Sequence, residues 1–242
     1  MPMLAIKRAP CMDSDRVNFG VHVERFLTSL RYESPLPNGI ELLNPYTSDE
    51  VRRVVGEFTR KYYQSSGKRL AIWGINPGRF GAGVTGLSFT DPWAVREQLG
   101  ISTTLDGRRE LSAEFISMVI DAYGGPDVFY RDVYMCAISP LGFVKNGVNI
   151  NFYDDTELRK TIVPFVHQTL SEQHSVGLMK NRCIVLGTGK LRGFVEAEVR
   201  DTIGYEHIVY LEHPRFIMQY RRSNVMLYVR KYVDTIRSLR SS

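Results

Sequence analysis

Leu70-Ala71-Ile72-Trp73-Gly74-Ile75-Asn76-Pro77-Gly78-Arg79-Phe80-Gly81-Ala82-Gly83-Val84-Thr85-Gly86-Leu87-Ser88-Phe89 is the stretch that decides the fold. It opens on a continuous apolar run, the pattern of a parallel strand buried on both faces. From Gly74 onward, five glycines and one proline surround a single asparagine. Open α/β sheets bind ligands in the crevice at the carboxyl ends of their strands, which is where Asn76 falls. Pro77 fixes its own φ and biases Asn76 toward an extended conformation, while the glycines admit close approach of backbone to a ligand. The Asn76 amide is therefore expected to be rigid, with donor and acceptor both facing whatever binds.

A second segment, His207-Ile208-Val209-Tyr210-Leu211-Glu212-His213-Pro214-Arg215, repeats the logic: an apolar run, then a polar residue before proline. Asn76 and His213 are far apart in sequence, and each stands at a strand end. That is the arrangement expected of residues meeting across one crevice.

The rest of the chain supplies alternating strands and helices. Residues 1–13 read as a flexible leader, and 14–30 has helical character with Val17, Val21, Phe26 and Leu30 available for burial. Residues 34–45, with Pro35, Pro37, Gly39 and Pro45, read mostly as loop. Thr47 or Ser48 can cap a helix carrying Val51, Val54, Val55, Phe58 and Tyr62 at helical spacing. Asp91-Pro92 opens a short helix, and residues 110–123 form another that Gly124-Gly125-Pro126 ends. Residues 128–138 read as the second strand, 183–186 as the third and 208–211 as the fourth. Between them lie a helix from Asp154 or Asp155, kinked by Pro164, and one over 191–199. The final segment places Val225, Val229, Tyr232, Val233, Ile236 and Leu239 on one face of a basic helix. This alternation implies α/β architecture: one domain over residues 1–242, with a central four-stranded parallel sheet and helices on both faces.

At 242 residues, 43% apolar and 24% charged, the chain can bury a full core. A formal charge of +5 permits a phosphate-binding face without requiring one. Cys11, Cys136 and Cys183 are widely spaced, which indicates neither a zinc site nor a disulfide framework. His167 and His174 can share a helix face, yet no further ligands accompany them, so no metal and no cofactor is expected. No stretch approaches a membrane span and no signal-peptide core is present, which points to a cytoplasmic protein.

The motif residues resemble a known family. Gly74 to Gly78 with Phe80-Gly81, then Thr85-Gly86-Leu87-Ser88-Phe89, looks like the first motif of the uracil-DNA glycosylase superfamily, in the form used by its single-strand-selective monofunctional branch. His213-Pro214 matches the start of the second motif. Ser139-Pro140-Leu141 and Val185-Leu186-Gly187-Thr188-Gly189 are weaker similarities in the right order. Together they span roughly residues 44–232. The run Arg215 to Arg222 departs from the branch's usual second motif, so the chain is read as a divergent bacterial-type relative. The absence of four cysteine ligands argues against the iron–sulfur branches.

The resemblance implies a DNA repair glycosylase that flips a deaminated base out of DNA, acts as a monomer and leaves an abasic site. Asn76 takes the position that orients the attacking water, and His213 the position that donates to the uracil oxygen as negative charge develops there. Phe89 corresponds to the aromatic that stacks on the base. Gly74, Ile75, Pro77, Gly78 and Ser139 would complete the base pocket. Gly78 stands where the most active branch has a bulky tyrosine that blocks thymine. The branch's edge-reading asparagine is replaced by Ala137, so either Asn149 or Asn151 turns into the pocket with the needed donor and acceptor, or these asparagines only make turns and the base is read loosely. Arg79, Gly187, Lys190, Arg215, Arg221 and Arg222 are the expected DNA-backbone contacts, Gly187 and Lys190 at a helix N-terminus. Gly187-Thr188-Gly189-Lys190-Leu191 is a poor P-loop, since Leu191 replaces the magnesium-binding hydroxyl. Two other readings stay open: an inactive DNA-damage-binding module on the same fold, and an enzyme acting on a free nucleotide or nucleoside.

Overall fold

The computed structural model describes residues 18–174 and 177–241. The flexible leader over residues 1–13, the helix start at Ser14, Val17 and Cys11 lie outside the described residues. Seven strands form among them: β1 (Ile40–Leu43), β2 (Arg69–Gly74), β3 (Val133–Ala137), β4 (Gly142–Lys145), β5 (Val148–Ile150), β6 (Leu178–Leu186) and β7 (His207–Leu211).

Four strands make the expected parallel sheet, in the order β3-β2-β6-β7. Trp73 of β2 pairs with Cys136 on one side and Val185 on the other, and Leu186 pairs with Leu211. Leu70, Ala71, Ile72 and Trp73 are no more than 1% exposed, as a two-faced strand requires. From β2 the chain passes to β3 on one side, then returns to add β6 and β7 on the other. That reversal is a topological switch point, and it opens a crevice at the carboxyl end of β2. At the opposite end of β2, Arg69 is fully buried. Its guanidinium donates to the carbonyls of Tyr130, Ser65 and Gly67 and lies over the Phe19 and Tyr63 rings.

The helices follow their sequence signals. Ser48 caps Asp49–Tyr62, and Asp91 accepts from the Ala94 amide where the 92–98 turns begin. The Asp155 carboxylate accepts from the Glu157 and Leu158 amides at the start of Thr156–His174, which runs through Pro164 as one helix. The expected helix over 191–199 is a chain of short helical pieces from Lys190 to Ile203. The C-terminal helix Val225–Ser241 buries Val229, Tyr232, Val233, Ile236 and Leu239.

Four expectations are corrected. The first helix is Phe19–Ser29, and Val21 on it is 47% exposed while Val23 is buried, because the buried stripe is Phe19, Val23 and Phe26. Residues 126–132 are helical rather than strand: Gly125 turns the chain at φ 88° and Pro126 opens the helix, so strand begins only at Val133. Within the expected loop 34–45, Ile40–Leu43 is a strand. It pairs antiparallel with β4, which in turn pairs with β5. The polar loop expected around Asn146, Asn149 and Asn151 is largely this β4–β5 hairpin. Its turn is Asn146-Gly147, both residues at positive φ, as a two-residue hairpin of this type demands.

Candidate active site

The carboxyl end of β2 runs into Ile75 and Asn76 while pairing with the β3 side continues: Ile138 N donates to Gly74 O and Ser139 N to Ile75 O. This holds the Gly74–Gly78 backbone against the sheet end. His213 follows β7 and caps the helix Pro214–Tyr220. Both residues line one cleft, with Gly74, Ile75, Pro77, Gly78, Phe89, Asn149, Asn151 and Arg215. The space inside is about 640 Å³, counting solvent at its mouth. The sequence expectation that Asn76 and His213 meet across one crevice is therefore matched in space.

The Asn76 amide is held differently from expectation. Its nitrogen donates to Pro77 O at 3.2 Å and Ile150 O at 3.3 Å, and its oxygen accepts from Phe152 N at 3.3 Å. The backbone at the end of β5 and just beyond it therefore engages both ends of the amide, and the group does not face the cleft with both functions free. One lone pair on the oxygen remains available. Rigidity comes from the residues around β5 more than from Pro77.

His213 Nδ1 accepts from the Arg215 amide at 3.2 Å. Burial, reinforced by the positive charge of Arg215, lowers the imidazole from its usual value to about 4. At neutral pH the ring is uncharged, and with Nδ1 accepting, its proton sits on Nε2. The side chain is thus a neutral donor. Phe89 tilts beside it, ring centroids 5.9 Å apart. Phe89 adopts φ 55°, a left-handed conformation that bulky residues avoid, and its ring lies so close to Gly74 that a Cβ there would come within 2.7 Å of it. Glycine at 74 lets the aromatic ring reach the cleft.

Asn149 and Asn151 both reach the cleft, each with one function already used. Asn149 Oδ1 accepts from the Arg79 amide at 3.1 Å, which leaves its nitrogen. Asn151 donates its nitrogen to Asp154 at 2.7 Å, which leaves its oxygen. The Asn149 nitrogen and the Asn151 oxygen are the functions left wholly free, while the Asn149 oxygen and the Asn151 nitrogen each keep one of two sites. A Cβ on Gly78 would stand 3.1 Å from the Asn149 nitrogen, so glycine there keeps that amide accessible.

Several expected residues fall elsewhere. Ser139 is fully buried and donates to Leu141 O at 2.8 Å, stapling the turn after β3 in place of lining the cleft. Gly187 is buried against Leu191 and is not poised for a phosphate. Lys190 is exposed but pairs with Asp154 at 2.9 Å. Arg222 pairs with Glu114 at 3.1 Å on the surface, whereas Arg221 lies over the Phe216 ring. Phe216 and Tyr220 are 40% and 61% exposed on the helix that His213 begins.

Sequence reasoning missed Glu110 and Ser112, which complete the cleft wall. Glu110 sits at the start of Leu111–Tyr123, and its amide donates to the buried Asp91 carboxylate. Its own carboxyl packs on Gly81, in space a side chain there would occupy, and burial raises its pKa above the ordinary carboxylate value. Among the described residues no His, Cys, Asp and Glu cluster could hold a metal ion, and no helix is long and apolar enough to cross a membrane. His167 and His174 serve other ends: His167 bonds to Thr202, and His174 packs against Trp73 and Tyr205.

A family model described as the uracil DNA glycosylase superfamily matches residues 60–237. The crystal structure of wild-type SMUG2 from Pedobacter heparinus superposes with a TM-score of 0.89 at 36% identity, over 94% of this chain and 100% of that one. Comparison with curated protein sequences finds no match.

Proposed function

Because the chain belongs to the uracil DNA glycosylase superfamily, we propose that it works as a monomeric, single-domain enzyme that flips a deaminated base out of DNA and hydrolyses its N-glycosidic bond. The observation that carries this reading is the convergence of Asn76 and His213 in one cleft at the sheet end.

Bond cleavage leaves positive charge on the sugar and negative charge on the departing ring. Donors aimed at the base oxygen are therefore the strongest lever available to the protein. The neutral His213, protonated on Nε2, is such a donor. The free lone pair on the Asn76 oxygen accepts from the attacking water and orients it, but an amide cannot take a proton. Glu110 is the carboxyl on the cleft wall, and a pKa raised by burial suits it to receive that proton. Phe89 replaces the stacking the base loses on leaving the helix. The Asn149 nitrogen and the Asn151 oxygen read the base edge in place of the asparagine that Ala137 lacks. Exposed Phe216 and Tyr220, flanked by Arg215, Arg221 and Arg222, suit a wedge that fills the gap behind the extracted base.

A pocket that reads with two separate half-used amides is less exacting than one built on a single bidentate asparagine. Hypoxanthine and xanthine are therefore accepted alongside uracil. Oligonucleotides bearing uracil, hypoxanthine, xanthine or only normal bases, incubated with the protein and then treated with alkali, test the reading. Strand breaks are expected at uracil, fewer at the deaminated purines and none at normal bases. Binding to uracil-containing DNA without any alkali-labile site would replace the enzyme with a damage-binding module. Repeating the panel with Asn149→Ala, Asn151→Ala and Ala137→Asn tests the readers, and unchanged selectivity in both deletions would assign reading to backbone groups.

A further inference from the structure

The cleft rim beyond Gly78 carries a feature that the excision reading does not use. Phe80 has two guanidinium groups over its ring, Arg108 at 3.7 Å and Arg79 at 4.6 Å from its centroid. The two charges are thus within about one Debye length of each other, roughly 8 Å at physiological salt. Neither arginine has a carboxylate partner among the described residues. Next along the rim, Arg109 lies 4.0 Å over the ring of Trp93, an indole that is 42% exposed. Arg109 is anchored to the fully buried Asp91 carboxylate at 2.9 Å. That same carboxylate holds the amide of Glu110, which ties this surface to the cleft wall.

The segment presenting Arg108 has no regular secondary structure from residue 101 to 110, yet it is pinned along its length. Thr103 Oγ1 and Thr104 N donate to Glu50, and Leu105 O accepts from Arg96 at 2.7 Å. The Asp106 carboxylate accepts from the Gly107 amide. The Arg79 guanidinium also donates to Gly147 O, which leaves its charge unneutralised, so two cations over one ring repel each other and a bound anion relieves that repulsion. A partly exposed indole with a guanidinium on one face is the platform on which an unpaired base stacks. Phosphate sites interleaved with a stacking ring describe single-stranded nucleic acid.

We propose that Arg79, Phe80, Trp93, Arg108 and Arg109 form a second contact surface that holds the nucleotides flanking the target base in single-stranded form, with a phosphate at Arg79 and Arg108 and a base on Trp93. The inference rests on DNA being the substrate. It assigns the flanking-strand contacts to named residues outside the base cleft.

The test is fluorescence anisotropy with a labelled single-stranded oligonucleotide carrying a non-hydrolysable uracil nucleotide, and with its duplex, between 50 and 200 mM salt. Arg108→Ala should weaken single-strand binding about fivefold to tenfold and reduce the slope of log affinity against log salt by about 0.7, the contribution of one single-strand phosphate contact. Arg108→Lys should restore the slope. Trp93→Ala should weaken single-strand binding about tenfold, change duplex binding less and leave the slope intact. Thermal midpoints equal to wild type establish that the variants fold. Wild-type binding matched in affinity and slope by both alanine variants would overturn this surface alone. A wild-type protein that binds neither oligonucleotide would overturn the glycosylase reading with it.

Discussion

The central sheet and the small antiparallel sheet meet at the cleft, and they reach it by different physics. In β2, Leu70 to Trp73 are sealed on both faces, and the strand is fixed by pairing with β3 and β6. In the hairpin, Val148 is 62% exposed, β5 is three residues long, and its position depends on the Asn146-Gly147 turn. The first sheet supplies stability and the strand ends that carry Asn76 and His213. The second buries Ile40 and Phe143 and leaves β5 largely at the surface, yet the residues around β5 clamp the Asn76 amide and offer the two candidate base readers. A glycosidic site needs both: a rigid platform, and a local clamp that sets one amide in place.

Removing the groups that the large sheet delivers should have the greatest effect. His213→Ala is expected to lower single-turnover uracil release about 100-fold to 1000-fold, the loss seen when a donor to a developing anion is deleted. Asn76→Ala should lower it by at least about tenfold, with DNA affinity nearly intact in both. Full activity in either variant, measured by quenched-flow excision, would remove that residue from the chemistry.

Acid titration sharpens the contrast between an electrostatic donor and an ordinary surface histidine. The folded His213 titrates at about 4, below the usual 6.5 of an unfolded chain. Its contribution to stability is thus full above pH 6.5 and is lost as pH falls toward 4. The rate should hold through pH 6 with respect to this group and decline only near 4. A His213 ring resonance titrating near 6.5 by NMR would contradict the neutral-donor assignment.

A smaller effect is expected at Glu110. Its raised pKa means that ionisation in the folded state costs stability. That cost is absent below the unfolded carboxylate value and fully present once pH exceeds the folded one. Glu110→Gln should therefore raise the thermal midpoint at pH 8, with no gain at pH 3. It should at the same time slow base release about tenfold. A faster enzyme, or a midpoint gain equal at both pH values, would place Glu110 outside the proton path.

The same contrast explains what the sequence made legible. β2 and β7 stood out because each is a continuous apolar run ending at a polar residue and a proline, so their roles at the crevice could be read without knowing any contact. β1 could not be read that way. It is four residues set among three prolines, and its strand character comes from pairing with β4, about a hundred residues on. The hairpin left a cue that went unused, Asn146-Gly147 between Phe143-Val144-Lys145 and Val148, which is the pattern of a two-residue turn. Val128, Phe129 and Tyr130 carried strand-like side chains, and helical backbone won there because Gly125-Pro126 starts a helix. Ser139 and Gly187 were placed by motif order, whereas burial after each strand end sends them into the fold. Glu110 had no pattern to announce it, since its partners Asp91 and Gly81 lie 19 and 29 residues away.

The division of labour between the sheets is tested most directly at the hairpin turn. Gly147 holds φ 71° with nothing within 4 Å of an added Cβ, so Gly147→Ala acts through backbone conformation, including that of the carbonyl that accepts from the Arg79 guanidinium. Single-turnover uracil release and thermal midpoint should be measured on the same preparation. The expected result is a rate about tenfold below wild type, with a midpoint lowered by no more than about 2–4 °C, since a misplaced catalytic amide is costly and an exposed hairpin turn is not. A wild-type rate in that variant would contradict the claim that the small sheet positions Asn76.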